Sequence, residues 1–216
     1  MKKRHPLVPF LFALLLLAGA CEGGDFGINN TIRVASGETR DGSLSTVNGS
    51  ILIGDDCTIR GGCHSVNGRI EIGRDSRVEG LATVNGRIRV DEKVEIDGDL
   101  TTVNGDVDIR EGSRVNGDLT TVNGEVSLRG TVVDRDIRTV NGDIRLERES
   151  LVRGDIRVEG THGTDTDRRR IAIHVESGSV VDGSIVVEDD AIDVTVYIAD
   201  DSSVKGEIRN ARVVKD

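Results

Sequence analysis

The sequence predicts an all-β fold, a single-stranded three-sided parallel β-helix of about nine coils. Three observations predict it. The tripeptide Val-Asn-Gly recurs with its asparagine at positions 48, 67, 85, 104, 123 and 141, at spacings of 19, 18, 19, 19 and 18 residues. A fixed period of this length marks stacked units, none of which can bury its apolar face alone. Within each period, inward-type residues come in pairs two apart, such as Val107 with Ile109, Ser113 with Val115 and Leu119 with Thr121. That is strand periodicity, and no helical pattern competes with it. Where the spacing drops to 18, the missing residue falls in a polar link ("VEGL" at 78–81, "LRGT" at 128–131), so deletions spare the strands.

Taken in order, residues 1–20 read as a secretory signal. Lys2, Lys3 and Arg4 precede an apolar stretch too short to span a bilayer comfortably, and Ala18, Gly19 and Ala20 lead into Cys21. Residues 21–30 read as a tether whose span from Glu22 onward is at most ~30 Å. The regular solenoid is expected over 31–160. Its first circuit, near Ile32 and Val34, is imperfect and puts Glu38 and Arg40 where the frame expects inward residues, a polar layer suited to capping. Later circuits present six inward residues each: Ile51, Ile53, Cys57, Ile59, Cys63 and Ser65 in one, Ile88, Val90, Val94, Ile96, Leu100 and Thr102 in another. The C-terminal part, 161–216, holds two degenerate circuits and two insertions, "THGTDTDRRR" (161–170) and "EDDAID" (188–193). Branched residues suit parallel strands on each face, and the bias of parallel crossovers predicts a right-handed coil.

Asn and Gly both tolerate a left-handed backbone, so Val-Asn-Gly is expected at a sharp corner. Asn48, Asn67, Asn85, Asn104, Asn123 and Asn141 would then stack, each side-chain amide bonded to the next as a ladder. The preceding valine either tucks toward the core or lines a partner surface. Outward charges alternate between layers, with Glu71, Arg89 and Asp108 on one face and Arg77, Glu95 and Arg114 on another, an arrangement that favours this register.

Composition narrows function. Removal of Lys2, Lys3 and Arg4 with the signal leaves 25 basic residues against 38 acidic ones, a net charge of −13 that disfavours nucleic acid and anionic lipid. Only Phe26 and Tyr197 would remain as aromatics, too few for sugar- or base-stacking platforms. No Gly-x-Ser-x-Gly elbow, His-Glu-x-x-His or phosphate loop occurs, and the reading is a non-catalytic protein without cofactor or metal. Cys57 and Cys63 sit inward on successive faces of one circuit and read as a disulfide or as buried thiols. His64 beside them would point outward, away from a shared metal site. Arg168, Arg169 and Arg170 in the first insertion are candidates for contact with an anionic partner, and the acidic second insertion lacks the ligand order of a dedicated calcium loop. Arg153, Gly154 and Asp155 spell an adhesion tripeptide but occupy the same link as "DGD" and "NGD" elsewhere.

The end of the leader resembles the lipobox of bacterial lipoproteins, which implies lipid attachment at Cys21. Glu22, in place of an aspartate, leans toward the outer membrane. The run of Val-x-Gly-Asp-Leu and Thr-Thr-Val-Asn-Gly-Asp units over 44–158 resembles the bactofilin, or polymer-forming cytoskeletal, family and also bacterial putative-adhesin solenoids. The resemblance implies β-helices, which in bactofilins polymerise end to end without nucleotide; this chain departs from them in its envelope signal and polar first layer. The expected function is therefore a lipid-anchored scaffold or adhesin-like rod in the cell envelope, on the periplasmic face of the outer membrane, meeting an envelope protein or polysaccharide. A self-associating filament is the alternative, and a glycan-active β-helix enzyme a third reading that lacks its aromatic groove.

Overall fold

A computed structural model describes residues 24–160, 169–189 and 192–215. The signal segment 1–20, Cys21 and Arg168 lie outside the described residues. Regular structure among them is entirely β-strand, 27 short strands joined through parallel pairings. Each layer contributes one strand to a column that begins at Ile32–Val34 and ends at Arg212–Lys215, ten strands in all. The other strands stack in two more columns, represented in one layer by Glu95–Ile96 and Leu100–Asn104. In chain order, Ile88–Val90, Glu95–Ile96 and Leu100–Asn104 mark the first, second and third faces. The second and third share a seventeen-stranded sheet, because Thr58–Asn67 and Arg77–Asn85 stay extended through the corner between them.

Stacking is residue upon residue. Val107 lies between Ile88 and Val126, and Leu100 between Leu81 and Leu119. The first 18-residue interval is absorbed by a register shift between Ile59 and Gly62, inside a link, and the inward columns continue unbroken above it. Ile88, Val90, Val94, Ile96, Leu100 and Thr102 are all buried, as are their equivalents in the layers between the two ends. Burial of branched apolar side chains, worth roughly 1.5–3 kcal/mol each, therefore holds neighbouring layers together.

Two expectations about the ends are corrected. The rod has about ten turns rather than nine, since Arg212–Lys215 pairs with Asp193–Ile198 as a further layer. Val213 stacks on the inward residue Val196 yet is 42% exposed, because among the described residues no further strand pairs above it. The tether also ends sooner than expected: Asp25–Gly27 pairs in register with Leu44–Thr46. Asp25 and Gly27 occupy the core-side positions there, and neither is apolar, so the strand left no alternation to read. At the same end Arg40 contacts Glu38 at 2.9 Å and Asp25 at 3.7 Å, a polar cluster on the first layer.

A column of buried hydroxyls runs where the second face begins, at Ser76, Ser113, Thr131, Ser150 and Ser179. Four backbone N–H groups at this position donate to the hydroxyl one layer above: Cys57 to Ser76 Oγ at 3.0 Å, Val94 to Ser113 Oγ at 3.1 Å, Thr131 to Ser150 Oγ at 3.3 Å and Ser150 to Ser179 Oγ at 3.2 Å. The hydroxyls pass their own protons to carbonyls of the corner, as Ser113 does to Asp91 O at 2.8 Å. Small hydroxyl residues thus satisfy buried amides that the tight corner would leave orphaned.

Candidate functional site

The recurring Val-Asn-Gly corner closes each layer between the third face and the first. Its asparagines form one column. Asn67 Nδ2 donates to Asn48 Oδ1 at 2.8 Å, Asn85 to Asn67 at 2.8 Å, Asn104 to Asn85 at 2.9 Å, Asn123 to Asn104 at 2.8 Å and Asn141 to Asn123 at 2.8 Å. Asn48 continues the series downward to Asn29 Oδ1 at 2.9 Å. Asn29 lies 19 residues before Asn48, a spacing that could have revealed it without the valine and glycine of the motif.

The glycine has a different role from the one expected. None of the motif asparagines from Asn48 to Asn141 has positive φ, and among the motif glycines only Gly124 does, at 141°. Most left-handed residues lie instead at the corner between the first and second faces, among them Asp56, Asp75, Lys93, Gly112 and Gly130, although Asn29 at the foot of the column is itself left-handed, with φ at 59°. Gly86 is required by close approach instead: a Cβ there would sit 2.1 Å from Gly68 O, and one at Gly105 would sit 2.0 Å from Gly86 O. Backbone packed directly on backbone leaves no room for a side chain. The motif valines Val47, Val66, Val84, Val103 and Val122 are half-buried, neither in the core nor fully in solvent, and Val140 is buried.

Arg169 ends the asparagine column. Its guanidinium donates to Asn141 Oδ1, and to Val140 O at 3.2 Å. Arg170 opens the next first-face strand, exposed and in register with Asp193. The two described arginines of the insertion therefore do not present one basic patch: the first is tied to the rod and the second points outward. Together with Asn141, Asp143 and Glu125 they border a shallow groove of about 460 Å³. Asp143 Oδ1 accepts the Ala172 amide at 2.8 Å, and Glu125 lies 3.7 Å from Arg145.

Side-chain carboxylates elsewhere act as backbone caps. At the corner between the second and third faces, Asp99 accepts the Asp118 amide at 2.9 Å, Asp118 that of Asp136 at 3.1 Å, Asp136 that of Asp155 at 2.9 Å, and Asp155 that of Ser184 at 2.9 Å. Burial works against ionisation of Asp136, but the Asp155 amide and the guanidiniums of Arg138 and Arg157 outweigh it and hold this carboxyl below the usual range. Asp155 also pairs with Arg157 at 2.7 Å and Arg153 with Asp134 at 2.8 Å, so both charges of the Arg153–Gly154–Asp155 tripeptide are engaged within the rod. Outward ion pairing across layers holds on the second face, where Arg77 meets Glu95 at 2.7 Å. On the first face both kinds occur: Arg69 with Glu71 at 2.8 Å and Arg89 with Asp91 at 3.6 Å along the chain, and Arg110 with Asp91 at 3.0 Å and Arg129 with Asp108 between layers.

Cys57 and Cys63 are both buried free thiols, which corrects the disulfide reading. They belong to different columns: Cys57 lies in the hydroxyl column, with its Sγ 3.1 Å from Ala35 O, while Cys63 stacks between Leu44 and Leu81. Burial pushes the Cys63 thiol up to about 12. His64 lies on the outer side of the third face with its ring over Gly62, and burial lowers its pKa, favouring the neutral ring. Among the described residues, no three His, Cys, Asp or Glu side chains converge on a point that could hold a metal ion.

Comparison with known protein families, characterised proteins and solved structures gives no match. The site is therefore defined by its own geometry: a bonded column of asparagines, a glycine column beneath it, and an arginine cap beside a shallow groove. Such an arrangement ties each layer to the next through side-chain amides. The carboxylates of Asp143 and Glu125 at the groove are engaged by the Ala172 amide and by Arg145.

Proposed function

We propose that this chain is a non-catalytic scaffold or binding rod of the bacterial cell envelope, attached by lipid at Cys21 to the periplasmic face of the outer membrane. The observation that carries the reading is the destination of its polar groups. Asparagine amides, corner aspartates and core hydroxyls bond from layer to layer, which supports a stiff, extended shape as the useful product of the sequence. The lipobox resemblance at Cys21 supplies the attachment, and the resemblance to adhesin-like solenoids supports presentation of a surface to an envelope protein or polysaccharide. A filament, as in bactofilins, is the second reading, favoured by the uncovered Val213 with half-buried Val204 and Ile208 at the last layer.

Metabolic labelling with an alkynyl palmitate analogue is expected to mark the wild type in the membrane fraction, while Cys21→Ala loses both label and membrane association. Label that persists in Cys21→Ala sinks the attachment. Filaments that lengthen with protein concentration in electron micrographs would replace the scaffold by the second reading.

A further inference from the structure

The three faces differ sharply in outward chemistry. The outward-side positions on six successive strands of the third face hold Phe26, Ser45, His64, Ala82, Thr101 and Thr120, of which Ser45 is buried and the four above it half-buried. None carries a fixed charge, and the histidine is held toward neutrality by its burial. Beside them runs the column of half-buried valines, Val47 to Val122, which Ile28 extends downward. The first face over the same stretch shows Arg33, Leu52, Glu71, Arg89 and Asp108, and the second Thr39, Thr58, Arg77, Glu95 and Arg114, so each carries at least three charges where the third carries none. Charge returns to the third face at Arg138, Arg157 and Arg209. The uncharged stripe is about 24 Å long at ~4.8 Å per layer.

The stripe begins where the chain would meet its lipid. Phe26, on the strand Asp25–Gly27, and Ile28, in the bend that follows it, are 58% and 60% exposed. Cys21 precedes Phe26 by five residues, a reach of at most ~18 Å. Large exposed apolar residues that close to a lipid anchor are placed against the bilayer surface. Extending that contact along the third face removes few charges from water, whereas either other face would desolvate several.

We infer that the rod lies down on the lipid surface along its third face, from Phe26 to about Thr120, instead of projecting from its anchor. The inference rests on lipid attachment at Cys21. It leaves the charged first and second faces, and the groove at Arg169 and Arg170, free toward the periplasm.

The chain contains no tryptophan, so single substitutions report position by fluorescence. Phe26→Trp, Thr101→Trp and Thr120→Trp place the probe on the third face, and Ser127→Trp places it outward on the first face at a comparable height. Each lipidated full-length protein is reconstituted into phosphatidylethanolamine–phosphatidylcholine vesicles containing brominated lipid, with acylation verified by mass. Strong quenching at 26, 101 and 120, and little at 127, is the expected result. Quenching at 26 alone means a standing rod and overturns the inference, as does equal quenching at 127, which would show that the probe drives insertion. Acylated protein that is quenched nowhere and sediments as a dimer assigns the stripe to a second copy and also overturns it, leaving attachment intact. Absence of acylation instead removes the attachment on which the inference stands.

Discussion

Gly86 and Lys93 show two different demands that a sharp corner makes on single residues. Gly86 has no room for a Cβ, while Lys93 has room but a left-handed backbone, with φ at 58°. Gly86→Ala is expected to cost about 1–3 kcal/mol, since rigid backbone carbonyl, not a flexible side chain, must give way. Lys93→Gly relieves about 1–2 kcal/mol of left-handed strain and loses about 0.5–1 kcal/mol to chain entropy, so stability should hold or rise slightly. Chemical denaturation of the two variants separates these cases; equal losses in both would refute the assignment of roles. Thr102 makes a third case. Its buried hydroxyl has no partner among the described residues, while Thr46, three layers lower in the same column, donates to Asn30 O at 3.0 Å. Val158 and Val187 fill the same column higher up. Thr102→Val should therefore stabilise by about 1 kcal/mol and Thr46→Val should destabilise, both read by thermal melting.

At the scale of the element, the asparagine column is directional: each residue donates downward and accepts from above. Asn104→Asp keeps the acceptor for Asn123 but opposes a carboxylate to Asn85 Oδ1. The expected loss is about 2 kcal/mol at neutral pH, from one missing bond and one repulsion. It should shrink as the pH falls through the carboxylate range, because the protonated acid regains a donor; a penalty unchanged at low pH would speak against the ladder geometry. This column was legible in the sequence, since identical residues at a constant period must stack once the period is a layer. The paired inward residues were legible for the same reason. What escaped is instructive physically. The role of the motif glycine was misread because left-handed backbone and close packing both select glycine, and composition alone does not separate them. Asp25–Gly27 was missed because its core-side positions hold no apolar residue. Arg169 was read as an outward contact because the insertion breaks the period, which hides the fact that its guanidinium reaches Asn141. The cysteine pair was read from shared inwardness, which does not bring two different columns together.

Over the whole molecule, each layer touches only its neighbours, so stability should be a sum of layer and interface contributions instead of a property of one central core. The two ends are then the weak points, for different reasons. The first layer carries the Arg40, Glu38 and Asp25 cluster in place of an apolar core, and the last leaves Val213 uncovered with Val204 and Ile208 only half-buried. Native-state hydrogen exchange is expected to show this as a gradient. Amides of Val107–Ile109 and Val126–Arg129, bonded between fully buried layers, should exchange slowest, while those of Arg212–Lys215 should exchange fastest. Gly105→Ala, placed mid-rod, should lower protection most in the layers it touches and least at the far end. Loss of protection by the same amount everywhere would mean that the stack melts as one cooperative unit, and the nearest-neighbour account of its stability would fall.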